Sequence, residues 1–174
     1  MNTTLKLISS DGMSFIVSKR AMLKSKTIQS MIDDSDMETD EPIRFNNIES
    51  SEVERIVTYI EHYVDDDEEK YVPIECEELE FGMIGKPIIT NKWDLDFLDI
   101  ELDSLVKLMK AADYLSIPSL GDLTAKKVKL VTYDFPVEKV REVLGLPPET
   151  EEEKKERLYD EKMLAKAIAM ARGN

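Results

Sequence analysis

A chain of 174 residues with 42% hydrophobic content is long enough for one cored domain with an appendage. No apolar run approaches the roughly 18–20 residues of a membrane span, and the first residues, "MNTTLKLISSDG", lack the basic start and apolar block of a secretory signal. A net charge of −14 argues against nucleic acid and anionic membranes as partners, while Cys76, the single cysteine, excludes an intramolecular disulfide and points to a reducing compartment.

The chain opens with "LKLISSDGMSFIVS", in which Leu5 and Leu7, then Phe15 and Val17, alternate on either side of the turn-forming Asp11-Gly12 pair. That pattern predicts a β-hairpin. "AMLKSKTIQSMI" places Met22, Leu23, Ile28, Met31 and Ile32 at spacings that suit one or two short helices, and "PIRF" (42–45) alternates like a short third strand. "SEVERIVTYIEHY" opens with Ser51 and Glu54 at capping-box spacing. Val53, Ile56, Val57 and Ile60 then follow at i, i+3, i+4 and i+7, one helical face. The expectation is a small sheet from 5–18 and 42–45, flanked by helices over 51–63 and 104–115.

Charge is unevenly spread. Residues 33–80 hold 19 of the 37 acids, with only Arg44, Arg55 and Lys70 as strong bases. Acids this dense resist collapse, so "DDSDMETDE" (33–41) and the stretch from Asp65 onward read as solvated, mobile loops. On that reading, deleting 66–80 leaves the melting temperature nearly unchanged.

After this stretch, Trp93, Phe97 and Leu98 form an apolar knot, and Leu102, Leu105, Leu108, Met109 and Ala112 mark another helical face. "IPSLGDLTAKKVKLV" sets Pro118 in a first turn and carries Leu120, Leu123 and Val128. "PVEKVREVLGL" predicts a helix that starts at Pro136 and stops at Gly145. The last helix opens with a Thr150–Glu153 capping box and glutamates in its first turn, and ends with Arg172, as the macrodipole favours. A few strands followed by many helices make an α/β or α+β chain.

Catalytic chemistry is nearly absent. His62 and Cys76 are the only histidine and thiol, and the acidic neighbours of Cys76 work against a nucleophilic thiolate. Two such ligands fall short of the roughly four that a structural zinc takes. "GMIGK" (82–86) is too short for a phosphate loop, and Pro87 stands where a Ser or Thr is required. Asp34, Asp36, Glu38 and Asp40 alternate as in a calcium loop, but Thr39 replaces the glycine and Phe45 the last ligand. No cofactor or metal is implied.

Three blocks carry a resemblance to a known family. They are Ser9, Ser10, Asp11, Phe15, Val17, Ala21, Ser25, Thr27, Ile28 and Met31; then "WDLDFL" (93–98); and above all "AADYLSIPSLGDL" (111–123). Together they resemble the Skp-type, S-phase-kinase-associated adaptors of cullin–F-box ubiquitin ligases. The resemblance implies a BTB/POZ-like core over 1–132, with acidic loops at 33–41 and 65–92, and a helical F-box-binding extension over 133–174. It implies a non-enzymatic adaptor, cytoplasmic and nuclear, that bridges an F-box protein to a cullin. Elongin-C-type adaptors share the core but end soon after the central helices, whereas this chain continues about fifty residues past Leu123.

By the same resemblance, cullin contacts fall on Leu108, Asp113, Tyr114 and Leu115. Leu108, Tyr114 and Leu115 read equally as core positions of two packed helices. F-box contacts fall on Leu120, Leu123, Lys126, Val140, Val143, Leu144, Leu146, Tyr159 and Met163. Segment 150–172 is expected to be mobile or displaced until an F-box protein orders it. The chain departs from the family at Asp113, usually Asn; at Pro118, usually Lys; at Gly121, usually Leu; at "PPET" (147–150), where a Phe is missing; and at Tyr159, usually Trp. The alternative function is a self-associating structural protein, with a homodimer formed when no F-box is bound.

Overall fold

The computed structural model describes residues 4–34, 41–79 and 84–172. Two strands open the fold, β1 (Thr4–Ile8) and β2 (Ser14–Ser18), paired antiparallel with Leu5 opposite Val17 and Leu7 opposite Phe15. Gly12 holds the turn at φ 85°, where a side chain would be strained. Helices α1 (Lys19–Met22) and α2 (Lys26–Asp34) follow, then β3 (Ile43–Arg44), which lies parallel to β1 with Ile43 opposite Leu7. The sheet order is β2-β1-β3. Its inner face, Leu7, Val17 and Ile43, is buried against α3 (Ser50–His62), α5 (Leu102–Tyr114) and α6 (Pro118–Thr132) in one apolar cluster. The small sheet and its flanking helices stand as the hydrophobic periodicity predicts.

The start of α3 differs from the expectation. No Ser51–Glu54 box forms; the helix begins one residue earlier and Glu49, its N-cap, makes no side-chain cap bond. Its first-turn donor is satisfied from elsewhere. The Ser50 N–H donates to Asp11 Oδ1 at 3.1 Å, and the Ser50 hydroxyl donates to Asp11 Oδ2 at 2.6 Å. Hydrogen bonds from Ser50, then Ser9, hold the Asp11 carboxyl below the usual range. One aspartate thus shapes the hairpin turn and caps a helix distant in sequence.

The stretch 65–92 is also not the free loop that its charge suggests. Its described residues include a 3-10 turn (Glu68–Lys70) and two antiparallel strands, β4 (Cys76–Glu78) and β5 (Ile84–Pro87), followed by α4 (Lys92–Phe97). The reason is that partners arrive from the rest of the fold. Lys24, buried at the end of α1, donates to the Asp66 carbonyl at 2.7 Å and pairs with Glu68 at 3.4 Å. Glu68 also accepts from the Ser119 N–H at 3.1 Å and from the Ser119 hydroxyl. Asp122 accepts from the Tyr71 hydroxyl and the Ile74 N–H, both at 2.7 Å. The acidic segment is a strap pinned along the first turns of α6. Gly85 belongs to this strap rather than to a phosphate loop: a Cβ there would meet Glu77 Cβ at 2.8 Å, so close strand crossing demands glycine. Residues 35–40 and 80–83, including most of the calcium-like pattern, the first acidic block and Gly82, lie outside the described residues.

Two helices complete the chain. Helix α7 (Val137–Leu144) has Pro136 as N-cap and ends on Gly145 at φ 69°. Helix α8 (Glu151–Arg172) opens on the expected reciprocal box: the Thr150 N–H donates to Glu153 Oε2 at 2.8 Å, and the Glu153 N–H to Thr150 Oγ1 at 3.2 Å.

Candidate interaction surfaces

The corner "YLSI" between α5 and α6 is a complete Schellman ending. The Ile117 N–H donates to the Ala112 carbonyl at 3.0 Å and the Ser116 N–H to Asp113 O at 2.9 Å. Ser116 takes φ 49°, a conformation that costs an L-residue about 1 kcal/mol. Helix α2 clamps this corner from outside. The Ser25 hydroxyl donates to Leu115 O at 2.6 Å and accepts from the Ile28 N–H at 3.1 Å, and Thr27 Oγ1 donates to Tyr114 O at 3.2 Å. Ser116→Gly is expected to stabilise the fold by about 1 kcal/mol, read as a melting shift of about 2–4 °C upward. A lower melting temperature would mean that the serine side chain contributes to the corner.

The clamp decides which corner residues face solvent. Leu108 and Leu115 are core residues, with 0% and 1% of their surface exposed. As such they have no surface to offer, so the cullin set expected from the resemblance shrinks to Asp113 and Tyr114, both exposed. Tyr114 is 49% exposed and borders a groove of about 220 Å³ shared with Ile48, Glu52, Lys107 and Lys110. Helical periodicity cannot make this distinction, because 108 and 115 lie on the same broad face as the open edge.

The second candidate surface runs from α6 to α8. Leu120 and Leu123 are again buried, which removes them from any free platform. Gly121, in the first turn of α6, leaves open space where a Cβ would project. Lys126 is half-buried, 3.8 Å from Asp122 and 3.7 Å from the Cys76 sulfur, while Lys129 lies 3.9 Å from the same sulfur. The surroundings of Cys76 are therefore not the purely acidic ones that the local sequence suggests. Val140 is half-buried, Val143 and Leu144 pack onto the core from outside, and Leu146 is 50% exposed. On α8, Tyr159 is 63% exposed and Met163 48%. Sequence reasoning missed Leu158, Val131 and Tyr133, exposed apolar groups on the same elements that share no stripe with the others.

Helix α8 is joined to α7 by charge. Arg157 grips Glu149 with two parallel bonds, Nε to Oε1 and Nη2 to Oε2, both 2.9 Å, and reaches Glu161 at 2.9 Å and Glu138 at 3.8 Å. Arg141 meets Glu153 at 3.6 Å. The two glutamate partners hold the guanidinium strongly protonated, and Arg157 keeps the Glu149 carboxyl below its usual range. Arg157→Gln is expected to loosen the first turns of α8, seen as faster amide exchange over 151–161 with no change in β1 or α5. Unchanged exchange there would show that the capping box alone fixes the helix start.

His62 lies flat on Trp93, ring centroids 3.7 Å apart and 1° from parallel, and Trp93 stacks in turn on Phe97. The one histidine is thus engaged in aromatic packing.

The profile described as "Skp1 family, tetramerisation domain" matches residues 3–65, which span the sheet, α1, α2 and α3. SKP1-like protein 12 of Arabidopsis thaliana is 33% identical over 150 residues, 84% of this chain and 88% of that protein. The chain belongs to the Skp1 family. The S-phase kinase-associated protein 1 homolog of Tetrahymena thermophila is 29% identical across 92% of both chains. Suppressor of kinetochore protein 1 of Schizosaccharomyces pombe is 26% identical, over 90% of this chain and 94% of that protein. Membership of the Skp1 family fits the BTB/POZ-like α/β core and its helical C-terminus, and carries the function of that family, the adaptor of SCF ubiquitin ligases.

Proposed function

We propose that this Skp1-family chain acts without catalysis, bridging an F-box substrate receptor to a cullin scaffold in an SCF-type ubiquitin ligase. The observation that carries the reading is the family likeness over 84% of the chain. The division of labour follows from exposure. Asp113 and Tyr114, with the groove beside them, form the cullin face. Val140, Val143, Leu144, Leu146, Tyr159 and Met163, with Lys126 at the margin, form the F-box face, on a C-terminal unit of 133–174 appended to a core of 1–132. Cytoplasm and nucleus are the compartments in which such a ligase would work.

The exposed apolar side chains of α8 also support a second state, a homodimer of the free chain. Size-exclusion chromatography of the chain mixed with a purified cullin and a purified F-box protein tests both. A ternary peak containing all three chains is expected, with any homodimer dissolving as the F-box protein is added. A chain that elutes alone or as a self-dimer beside both partners would replace the adaptor reading with the self-associating one.

A further inference from the structure

We propose that a tyrosine-walled cavity between α3, the acidic strap and the start of α6 receives an organic cation, the guanidinium or ammonium end of an arginine or lysine side chain of a partner protein. The cavity holds about 560 Å³, within the range of ligand pockets, and Tyr59, Tyr63 and Tyr71 line it. The Tyr59 and Tyr63 ring centroids lie 4.9 Å apart. The Tyr63 hydroxyl donates to Asp94 at 2.7 Å and accepts from Asn91 at 3.1 Å, and the Tyr71 hydroxyl donates to Asp122 at 2.7 Å. Tyr59 is 4% exposed and backs the wall, so with the Tyr63 and Tyr71 hydroxyls engaged, what these two rings have left to offer is π surface, which attracts cations.

The charge of the cavity points the same way. Of the acids that line it, Asp65 is paired with Arg20, Asp67 with Lys70 and Glu68 with Lys24. Asp66 and Asp94 line it too, and neither has an ion pair among the described residues. The Asp94 carboxyl is raised above its ordinary range, first by desolvation, so its anion lacks compensation from water. Lys24, the buried cation at the site, is already committed to Glu68 and the Asp66 carbonyl. A cation would find two carboxylates that have no ion pair among the described residues, beside aromatic walls. Val72, 76% exposed beside the cavity, offers an apolar contact to residues flanking a basic side chain, which favours a protein over a free amine. None of this depends on the adaptor reading.

The test is titration calorimetry with the peptide acetyl-Leu-Ser-Arg-Leu-Gly-amide. The controls are the same peptide with citrulline, a neutral isostere, for arginine, and spermidine as a free amine. Trp93, the only tryptophan and 5.4 Å from the Tyr63 ring, gives a second readout by fluorescence. The arginine peptide is expected to bind with a dissociation constant of about 1 mM or tighter, the citrulline peptide not at all, and spermidine about tenfold more weakly. Asp66→Asn, at a side chain with no hydrogen bond among the described residues, should weaken the peptide about fivefold, and Asp94→Asn should weaken it too. Asp160→Asn on α8, which changes net charge equally, should not. Equal binding of the citrulline peptide, no saturation, or equal weakening by Asp160→Asn would overturn the cation site. Spermidine binding as tightly as the peptide would overturn its assignment to a partner protein.

Discussion

Glu68→Ala is expected to lower the melting temperature by about 6–20 °C. Glu68 and Lys24 are 11% and 5% exposed at the side chain, 3.4 Å apart. Removing the glutamate leaves a buried ammonium with the Asp66 carbonyl as its one hydrogen-bond partner among the described residues, and the loss of one partner of a buried pair costs about 3–5 kcal/mol. For a chain of this size each kcal/mol moves the midpoint by about 2–4 °C. The same substitution frees the Ser119 N–H and hydroxyl at the start of α6, so the strap loses its hold there. Glu69→Ala, at an exposed neighbour, should shift the midpoint by no more than about 2 °C. Lys24→Met combined with Glu68→Leu should recover much of the loss, since apolar groups of similar size replace a buried pair at little cost. A thermal melt of Glu68→Ala within about 2 °C of the unsubstituted chain, on that same surface scale, would show the strap to be unpacked and the density of acids to govern it after all.

That result bears on how the sequence is read. The hairpin, the faces of α3 and α5, the Pro136-to-Gly145 limits of α7 and the Thr150–Glu153 box are all written in residues a few positions apart. Local chemistry is enough to read them. The cap of α3 and the strap are different. Asp11 reaches Ser50 across 39 positions, and Glu68 reaches Ser119 across 51. A run of acids read alone looks repulsive; the same run beside Lys24, Ser119 and α6 finds a donor for each critical oxygen. The exposure of the candidate interaction residues was legible only in part. Position 114 carries the large half-exposed group that the resemblance implies, yet Leu108, Leu115, Leu120 and Leu123 were indistinguishable from it in a helical pattern. Only the clamp of Ser25 and Thr27 on the corner shows which side of α5 and α6 is closed.

Tyr114→Lys is expected to reduce capture by a cullin at least about thirtyfold, as loss of a central aromatic contact worth about 2 kcal/mol or more would do, while the fold survives. Survival follows from position. The Tyr114 side chain is 49% exposed, and the bond that this residue gives to the corner, from Thr27, ends on its backbone carbonyl. A lysine there keeps that carbonyl and can lift its ammonium into water. Loss of binding follows from the groove. The new cation adds to Lys107 and Lys110 and leaves a partner's apolar group without the ring it would meet. Tyr114→Phe keeps the ring and should retain most of the capture. Leu115→Lys, one residue on and 1% exposed, should instead unfold the chain, since its ammonium would have no route to water and no partner. An F-box protein should still be retained by Tyr114→Lys, because Leu146, Tyr159 and Met163 lie on other elements. The measurement pairs immobilised-cullin binding with circular dichroism melts of the three variants. Full cullin capture by Tyr114→Lys would remove Tyr114 from the interface. Collapse of its melt to that of Leu115→Lys would make the tyrosine a structural residue and leave the cullin face to be sought elsewhere on the molecule.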